Sequence, residues 1–166
     1  DELILRQDAA FRFTVRSRRP PLDSVNALLS FAYSLLASEC AAALEGVGLD
    51  PCVGMLHTDR PGRKSLALDL MEELRPLLAD RFVLTGINNR IFAAEHFDQS
   101  DSGAVMLNDA GRRAFFTAWK KRRDETITHP FLGEKLPWGL VPHVQALLLA
   151  RMLRGDMDAY PPFLWK

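Results

Sequence analysis

Apolar residues recur at helical spacing most clearly between residues 24 and 46. Val25, Leu28, Leu29, Ala32, Leu35, Leu36 and Ala43 form one stripe, Asp23 or Ser24 stands at the cap position, and Gly46 and Gly48 follow, so a helix is predicted over 24–46. Glu39 falls inside this stripe. A carboxylate among apolar neighbours needs a partner, either a nearby arginine, the commoner outcome, or a metal ion. A second helix is predicted from Lys64 or Ser65 to about Arg75, where Pro76 must kink or interrupt it. Beyond Pro76 the spacing of Leu77, Leu78, Phe82, Val83, Ile87 and Ile91 predicts more helix. Residues 97–108 read as a turn within a short hairpin or loop, and Asp109 as the cap of a helix to about Asp124 carrying Phe115, Phe116 and Trp119. A break at "HPFLGEKLPWG" precedes a last helix at about 140–154. Before the first helix, "FRFTVRS" alternates: Phe11, Phe13 and Val15 fall on one side, which predicts a half-buried strand or an extended arm. The tail "YPPFLWK" is apolar for a terminus and reads as a docking segment. The predicted class is mainly α, a multi-helix domain with a short N-terminal extended arm.

Composition changes this picture little. The 166 residues are 48% hydrophobic and 25% charged, ordinary for a globular chain able to bury one core. No run of about 18 apolar residues suggests a membrane span, and "DELILRQDAAF" lacks the basic start and apolar stretch of a signal peptide. Cys40 and Cys52 form no metal-type pair and read as cytosolic thiols, one on a helix face and one in a loop. Twenty-one basic residues balance 21 acidic ones, so any nucleic-acid contact must rest on local patches.

Candidate chemistry concentrates in residues 56–76, "LHTDRPGRKSLALDLMEELRP". On a helix starting near Ser65, Asp69, Glu72 and Glu73 share one side while Leu66, Leu70, Met71, Leu74 and Leu77 take the other. His57 arrives from the preceding segment. An imidazole with carboxylates suits Mn2+, and Mg2+ less ideally. Arg60, Arg63 and Lys64 lie between the histidine and the acids, an arrangement suited to a phosphodiester: a metal polarises the phosphoryl oxygen and guanidinium groups clamp the others. Spacing alone also fits a solvated helix face beside a structural histidine. Basic runs occur at Arg12, Arg16, Arg18 and Arg19, and at Lys120, Lys121, Arg122 and Arg123 beside Trp119; either neutralises phosphates or forms a solvated face. Asn88, Asn89 and Arg90 fit a helix end or a DNA contact, and His129 and His143, without acidic partners at ligand spacing, read as structural.

The segments "NALLSFAYSLL" (26–36), "GLDPCVGMLHTDRPGRKSLALDLMEELRP" (48–76), "DR" (80–81), "NNR" (88–90) and "HPFLGEK" (129–135) resemble the CRISPR-associated endonuclease-integrase family, the larger of the two universal spacer-acquisition proteins, in its type I-C form. The resemblance covers nearly the whole chain. It implies a C-terminal helical, catalytic domain spanning 1–166, without the family's N-terminal β domain and without its first catalytic glutamate, which sits in a G-x-E-G motif absent here and is expected upstream of Asp1. It implies that His57 and Glu72 ligate Mn2+ or Mg2+, that Asp69 ligates or orients, and that this chain alone is inactive. The implied reaction joins a DNA 3′-hydroxyl to a phosphodiester at the CRISPR repeat, with metal-dependent endonuclease action by the same site. The implied partners are double-stranded DNA (prespacer and repeat), a second copy in the full-length form, the smaller universal CRISPR-associated protein and an accessory iron-sulfur nuclease, in a prokaryotic cytoplasm with no membrane. Arg60 and Arg63, and Lys120, Lys121 and Arg122, are the candidate DNA contacts by their chemistry. The alternative is a non-catalytic helical module for DNA binding and assembly; Glu39 as a third ligand within the chain is a further possibility.

Overall fold

In the computed structural model, which describes residues 3–6 and 8–164, five α-helices carry the chain: α1 (Ser24–Gly46), α2 (Ser65–Leu74), α3 (Arg81–Asn88), α4 (Asp109–Asp124) and α5 (Val141–Leu153). Two antiparallel hairpins join them, β1 (Phe97–Gln99) with β2 (Val105–Leu107) and β3 (Thr126–Thr128) with β4 (Lys135–Pro137). The mainly helical reading holds. The chain divides into two compact units, one from residues 1–34 and 79–122, the other from 35–78 and 123–166, so α1 contributes to both.

The first unit is built on aromatic packing. Phe82 lies edge-on to Phe115 and Trp119, with ring centroids 5.1 and 4.9 Å away, and Phe31 approaches Phe115 at 4.8 Å. Such pairs add about 0.5–1.5 kcal/mol beyond area burial. Gly86 is required here, because a Cβ would lie 2.4 Å from the Phe92 ring. The alternation in "FRFTVRS" does not form a strand. Phe11 ends a 3-10 turn (Ala9–Phe11) and is buried, but Val15 is 68% exposed. A strand needs a neighbouring ladder; the arm instead pairs its backbone with one side chain, since the buried Asn26 donates Nδ2–H to the Val15 carbonyl (2.8 Å) and accepts from Ser17 N–H (3.1 Å). Asn88 does the same further up, accepting from Leu5 N–H at 2.9 Å and donating to the Leu3 carbonyl at 3.1 Å. Arg90 adopts a left-handed conformation (φ 57) as α3 ends. The cap of α4 is Asn108, which accepts from Gly111 N–H at 3.0 Å, one residue before the expected Asp109.

The second unit packs α2 and α5 with the later half of α1 around Leu36, Leu44, Leu66, Leu70, Leu74 and Leu149. The 3-10 turn Trp138–Leu140 leads into α5. Pro76 acts as expected: α2 stops at Leu74 and residues Arg75–Asp80 widen into a π-helical stretch before α3. The "HPFLGEK" break hides a hairpin whose turn is built by His129. The buried imidazole accepts at Nδ1 from Phe131 and Leu132 N–H (both 3.3 Å), so Nε2 carries the proton and donates to Gln145 Oε1 at 3.0 Å. Tyr160 and Phe163 of the tail pack on the fold of this chain. Tyr160 donates its hydroxyl proton to Glu73, Phe163 N–H donates to the same carboxylate at 2.7 Å, and the Phe163 ring is buried against His129 and Trp138. Burial beside Glu73 pushes the Tyr160 hydroxyl well above the ordinary tyrosine range. Trp165 and Lys166 lie outside the described residues.

The sequence reading found no membrane-length apolar run, yet α1 is long and apolar enough by length and composition to cross a bilayer. Here Leu28, Leu36 and Leu44 on that helix are fully buried in the fold. Cys40 is buried on α1, and Cys52 is exposed in a loop. Burial pushes the Cys40 thiol well up from its ordinary value.

Candidate active site

The loop between α1 and α2 is folded onto the start of α2. Pro51 offers its carbonyl to the N–H groups of Leu66 (2.9 Å) and Ala67 (3.2 Å), two donors that a helix start leaves unpaired. "RPGR" makes a tight turn, with Arg63 N–H donating to the Arg60 carbonyl at 3.0 Å and Gly62 at φ +73, the pattern of a type II turn with Pro at its second position. Gly54 sits where a Cβ would lie 2.3 Å from the His57 carbonyl oxygen and 2.6 Å from Ser65 Cβ. Its N–H donates to Asp59 Oδ1 at 2.8 Å. Gly54 and Asp59 escaped the sequence reading; a glycine with an acid five residues on is too common a pattern to single out.

Asp69, on the first turns of α2, is the centre of this loop. Its Oδ2 accepts from Met55 N–H (2.6 Å) and Leu56 N–H (2.9 Å). Its Oδ1 accepts from His57 N–H (2.9 Å) and lies 2.6 Å from His57 Nδ1. The side chain is only 8% exposed. Burial pushes its carboxyl pKa up, but the hydrogen bonds from Leu56, the His57 ring, Met55 and His57 N–H outweigh burial and hold it below the ordinary value. Both oxygens are therefore occupied by protein donors. The consequence for His57 is a fixed tautomer: Nδ1 carries the proton toward Asp69, and the partly exposed ring presents Nε2 as its lone-pair nitrogen. A carboxylate behind an imidazole in this way is the usual outer support of a metal-binding histidine.

Glu72 stands one turn beyond Asp69 on α2. Its carboxylate pairs with Arg75 at 3.0 Å, both partly exposed. A surface pair of this kind is worth about 0–1 kcal/mol, so it yields cheaply to a stronger cation. Glu73, expected beside Glu72, instead anchors the tail through Tyr160, Phe163 and Gln145. Glu39, 18% exposed, pairs with Arg123 at 3.5 Å, the arginine partner of the two readings it allowed. Among the described residues no three His, Cys, Asp or Glu side chains are grouped so as to hold a metal ion. The donor set fits a divalent cation in chemistry but not in number: it offers one imidazole nitrogen and one carboxylate.

Arg60 is exposed and Arg63 half-buried on the same loop, while Lys64 pairs with Glu45 on α1 at 3.3 Å. Lys120 and Lys121 are exposed and Arg122 half-buried on α4, in the other unit. Exposed Arg112, Arg113 and Phe116 share that helix, an extension of the basic run that a contiguous-charge reading does not reveal.

The profile of the family described as CRISPR associated protein Cas1 matches residues 1–121. The chain belongs to the Cas1 family. "CRISPR-associated endonuclease Cas1 2" of Rhodospirillum rubrum is 58% identical over 165 residues, covering 99% of this chain and 48% of that protein. A "CRISPR-associated exonuclease Cas4/endonuclease Cas1 fusion" of Geobacter sulfurreducens is 46% identical over 93% of this chain and 27% of its own length. Among solved structures, a CAS1 protein from Thermotoga maritima superposes with TM-score 0.81 at 32% identity, covering 95% of this chain and 49% of that one. A "Casposase bound to integration product" gives TM-score 0.79 at 27% identity over 89% of this chain and 43% of its own. A "Partial Cas6-RT-Cas1--Cas2 complex" gives 0.75 at 25% identity over 96% of this chain and 47% of its own. This Cas1 chain thus spans about half the length of the Rhodospirillum relative.

Proposed function

We propose that this chain is the helical part of a metal-dependent DNA endonuclease-integrase of CRISPR adaptation, with His57 and Glu72 as two ligands of its metal and Asp69 as the group that positions the first. The observation that carries the proposal is the Asp69 clamp. A carboxylate that takes four donors from one loop also fixes one imidazole through Nδ1, which leaves Nε2 of that partly exposed ring as the nitrogen for a ligand. A bound Mn2+ or Mg2+ supplies Lewis acidity toward a phosphodiester oxygen and lowers the pKa of the attacking hydroxyl. The protein's own part is orientation: Asp69 sets the ring of His57, Glu72 offers its carboxylate once Arg75 is displaced, and Arg60 and Arg63 stand ready for phosphate oxygens. In the transesterification, a DNA 3′-hydroxyl attacks phosphorus at the edge of the repeat; the new ester bond forms as the existing P–O3′ bond breaks, and the displaced strand leaves with its own 3′-hydroxyl.

A third ligand completes the set, and the family resemblance makes it the glutamate of a G-x-E-G motif, which residues 1–166 do not contain. The named relatives support the wider assignment. The endonuclease names favour nuclease chemistry, the casposase integration product favours strand joining, the Cas2-containing complex favours the smaller universal protein as partner, and the Cas4 fusion favours an accessory nuclease. A second copy, double-stranded prespacer and repeat DNA and a cytoplasmic location complete the reading. The test is strand transfer by the full-length protein with its smaller partner on a branched DNA, in Mn2+, in Mg2+, in chelator and after restoring the ion. Transfer that disappears with the ion and returns with it supports the proposal; transfer in excess chelator refutes its metal component.

A further inference from the structure

Leu56, next to His57, is 81% exposed, more than any other large apolar side chain among the described residues. Val53 at 59% and Met55 at 53% flank it. A single exposed leucine is ordinary, but here the backbone beneath the apolar tip is tied down. Gly54 N–H is held by Asp59, and Met55, Leu56 and His57 N–H are all held by Asp69. The packing that forbids a Cβ at Gly54 adds to that constraint. The acids of the segment are used as acceptors for its own N–H groups, Asp50 for Cys52 at 2.9 Å, Asp59 for Gly54 and Asp69 for the tip. That leaves Arg60 and Arg63 as the cationic side chains on the turn that follows. A pre-set apolar tip bordered by cations suits a ligand with both apolar faces and negative charge, which is the chemistry of a nucleobase on its phosphate backbone. A protein surface would match the tip but would have to supply acids for the arginines.

We propose that Leu56, backed by Met55, packs against an unpaired nucleobase at the DNA branch and holds the strand open beside the phosphodiester served by His57. This rests on the DNA-joining reading of the site. The neighbouring Cα atoms are about 3.8 Å apart, so a strand held at His57 lies within side-chain reach of Leu56. Because Leu56 is almost wholly exposed, replacing it leaves the core untouched.

The test uses the full-length protein and a branched DNA with 2-aminopurine at the unpaired position, whose fluorescence reports unstacking. Leu56→Ser is expected to abolish the fluorescence change on binding and to lower strand transfer roughly tenfold, as the loss of part of one buried leucine implies. Leu56→Met is expected to restore both. His57→Ala is expected to keep the fluorescence change while losing transfer. A wild-type fluorescence response from Leu56→Ser overturns the proposal. So does a Leu56→Ser protein that responds normally but fails to assemble on a sizing column, since the tip then serves a protein interface. If His57→Ala still transfers strands, the DNA-joining assignment of His57 fails, while the fluorescence result reports on Leu56 separately.

Discussion

Asp69→Asn tests the architecture of the candidate site most sharply. The wild-type carboxylate accepts four hydrogen bonds, at 2.6, 2.9, 2.9 and 2.6 Å. Asparagine keeps the volume, but one of its two terminal atoms becomes an NH2 facing N–H donors, so at least two of the four bonds are lost and the rest lose their charge assistance. At about 1–2 kcal/mol each, discounted because water reaches this loop, the cost is about 2–4 kcal/mol of folding stability. That is a large share of the roughly 5–15 kcal/mol of a typical domain. The cost must depend on pH. The folded-state pKa of Asp69 is held below its ordinary value, so its contribution is fully present above the unfolded value of about 3.9 and is lost as pH falls through the folded one. Urea unfolding of wild type and variant should therefore differ at pH 7 and converge as the pH falls through the lowered folded value. Nitrogen-15 correlation spectra should show the His57 ring losing its fixed Nδ1–H tautomer in the variant. A stability difference below about 0.5 kcal/mol at pH 7, with the tautomer unchanged, would refute the clamp.

Other substitutions check neighbouring features. Gly54→Ala should break the loop outright, because its Cβ would sit 2.3 Å from the His57 carbonyl oxygen; the expected result is loss of strand transfer in the full-length protein with helix content retained by circular dichroism. Glu39→Gln should leave transfer unchanged and cost at most about 1 kcal/mol in thermal melts, since its Arg123 partner is half-exposed. Glu73→Ala should cost about 2–4 kcal/mol by removing the acceptor of Tyr160, Gln145 and Phe163. It should also alter Trp138 fluorescence, because Phe163 packs 5.6 Å from that ring.

What was legible in the sequence follows from how local each signal is. The 24–46 stripe and the interruption at Pro76 are set by periodicity and backbone chemistry within a few residues, and each appears where expected. The spacing of Asp69, Glu72 and Glu73 placed three acids on one helix side, but each takes its role from the particular partner it meets, and for Glu73 that partner lies far along the chain. Asp69 turns to the loop, Glu72 to Arg75 and Glu73 to a tail almost ninety residues later. The same limit explains the arm. Alternation in "FRFTVRS" is a strand signal only when a ladder lies alongside, and no pattern within the segment announces that Asn26 will satisfy it instead. The His129 turn was missed because Gly133 and the glutamine that fixes the imidazole are separated by a helix start.

The most direct measurement is strand transfer by full-length His57→Ala, compared with wild type on one branched DNA in Mn2+, with circular dichroism and melting temperature recorded for both. Transfer reduced to background in a protein that melts within a few degrees of wild type is the predicted result. Transfer at the wild-type rate by the folded variant would contradict the assignment of His57, and with it the reading of the Asp69 clamp as part of a DNA-joining centre.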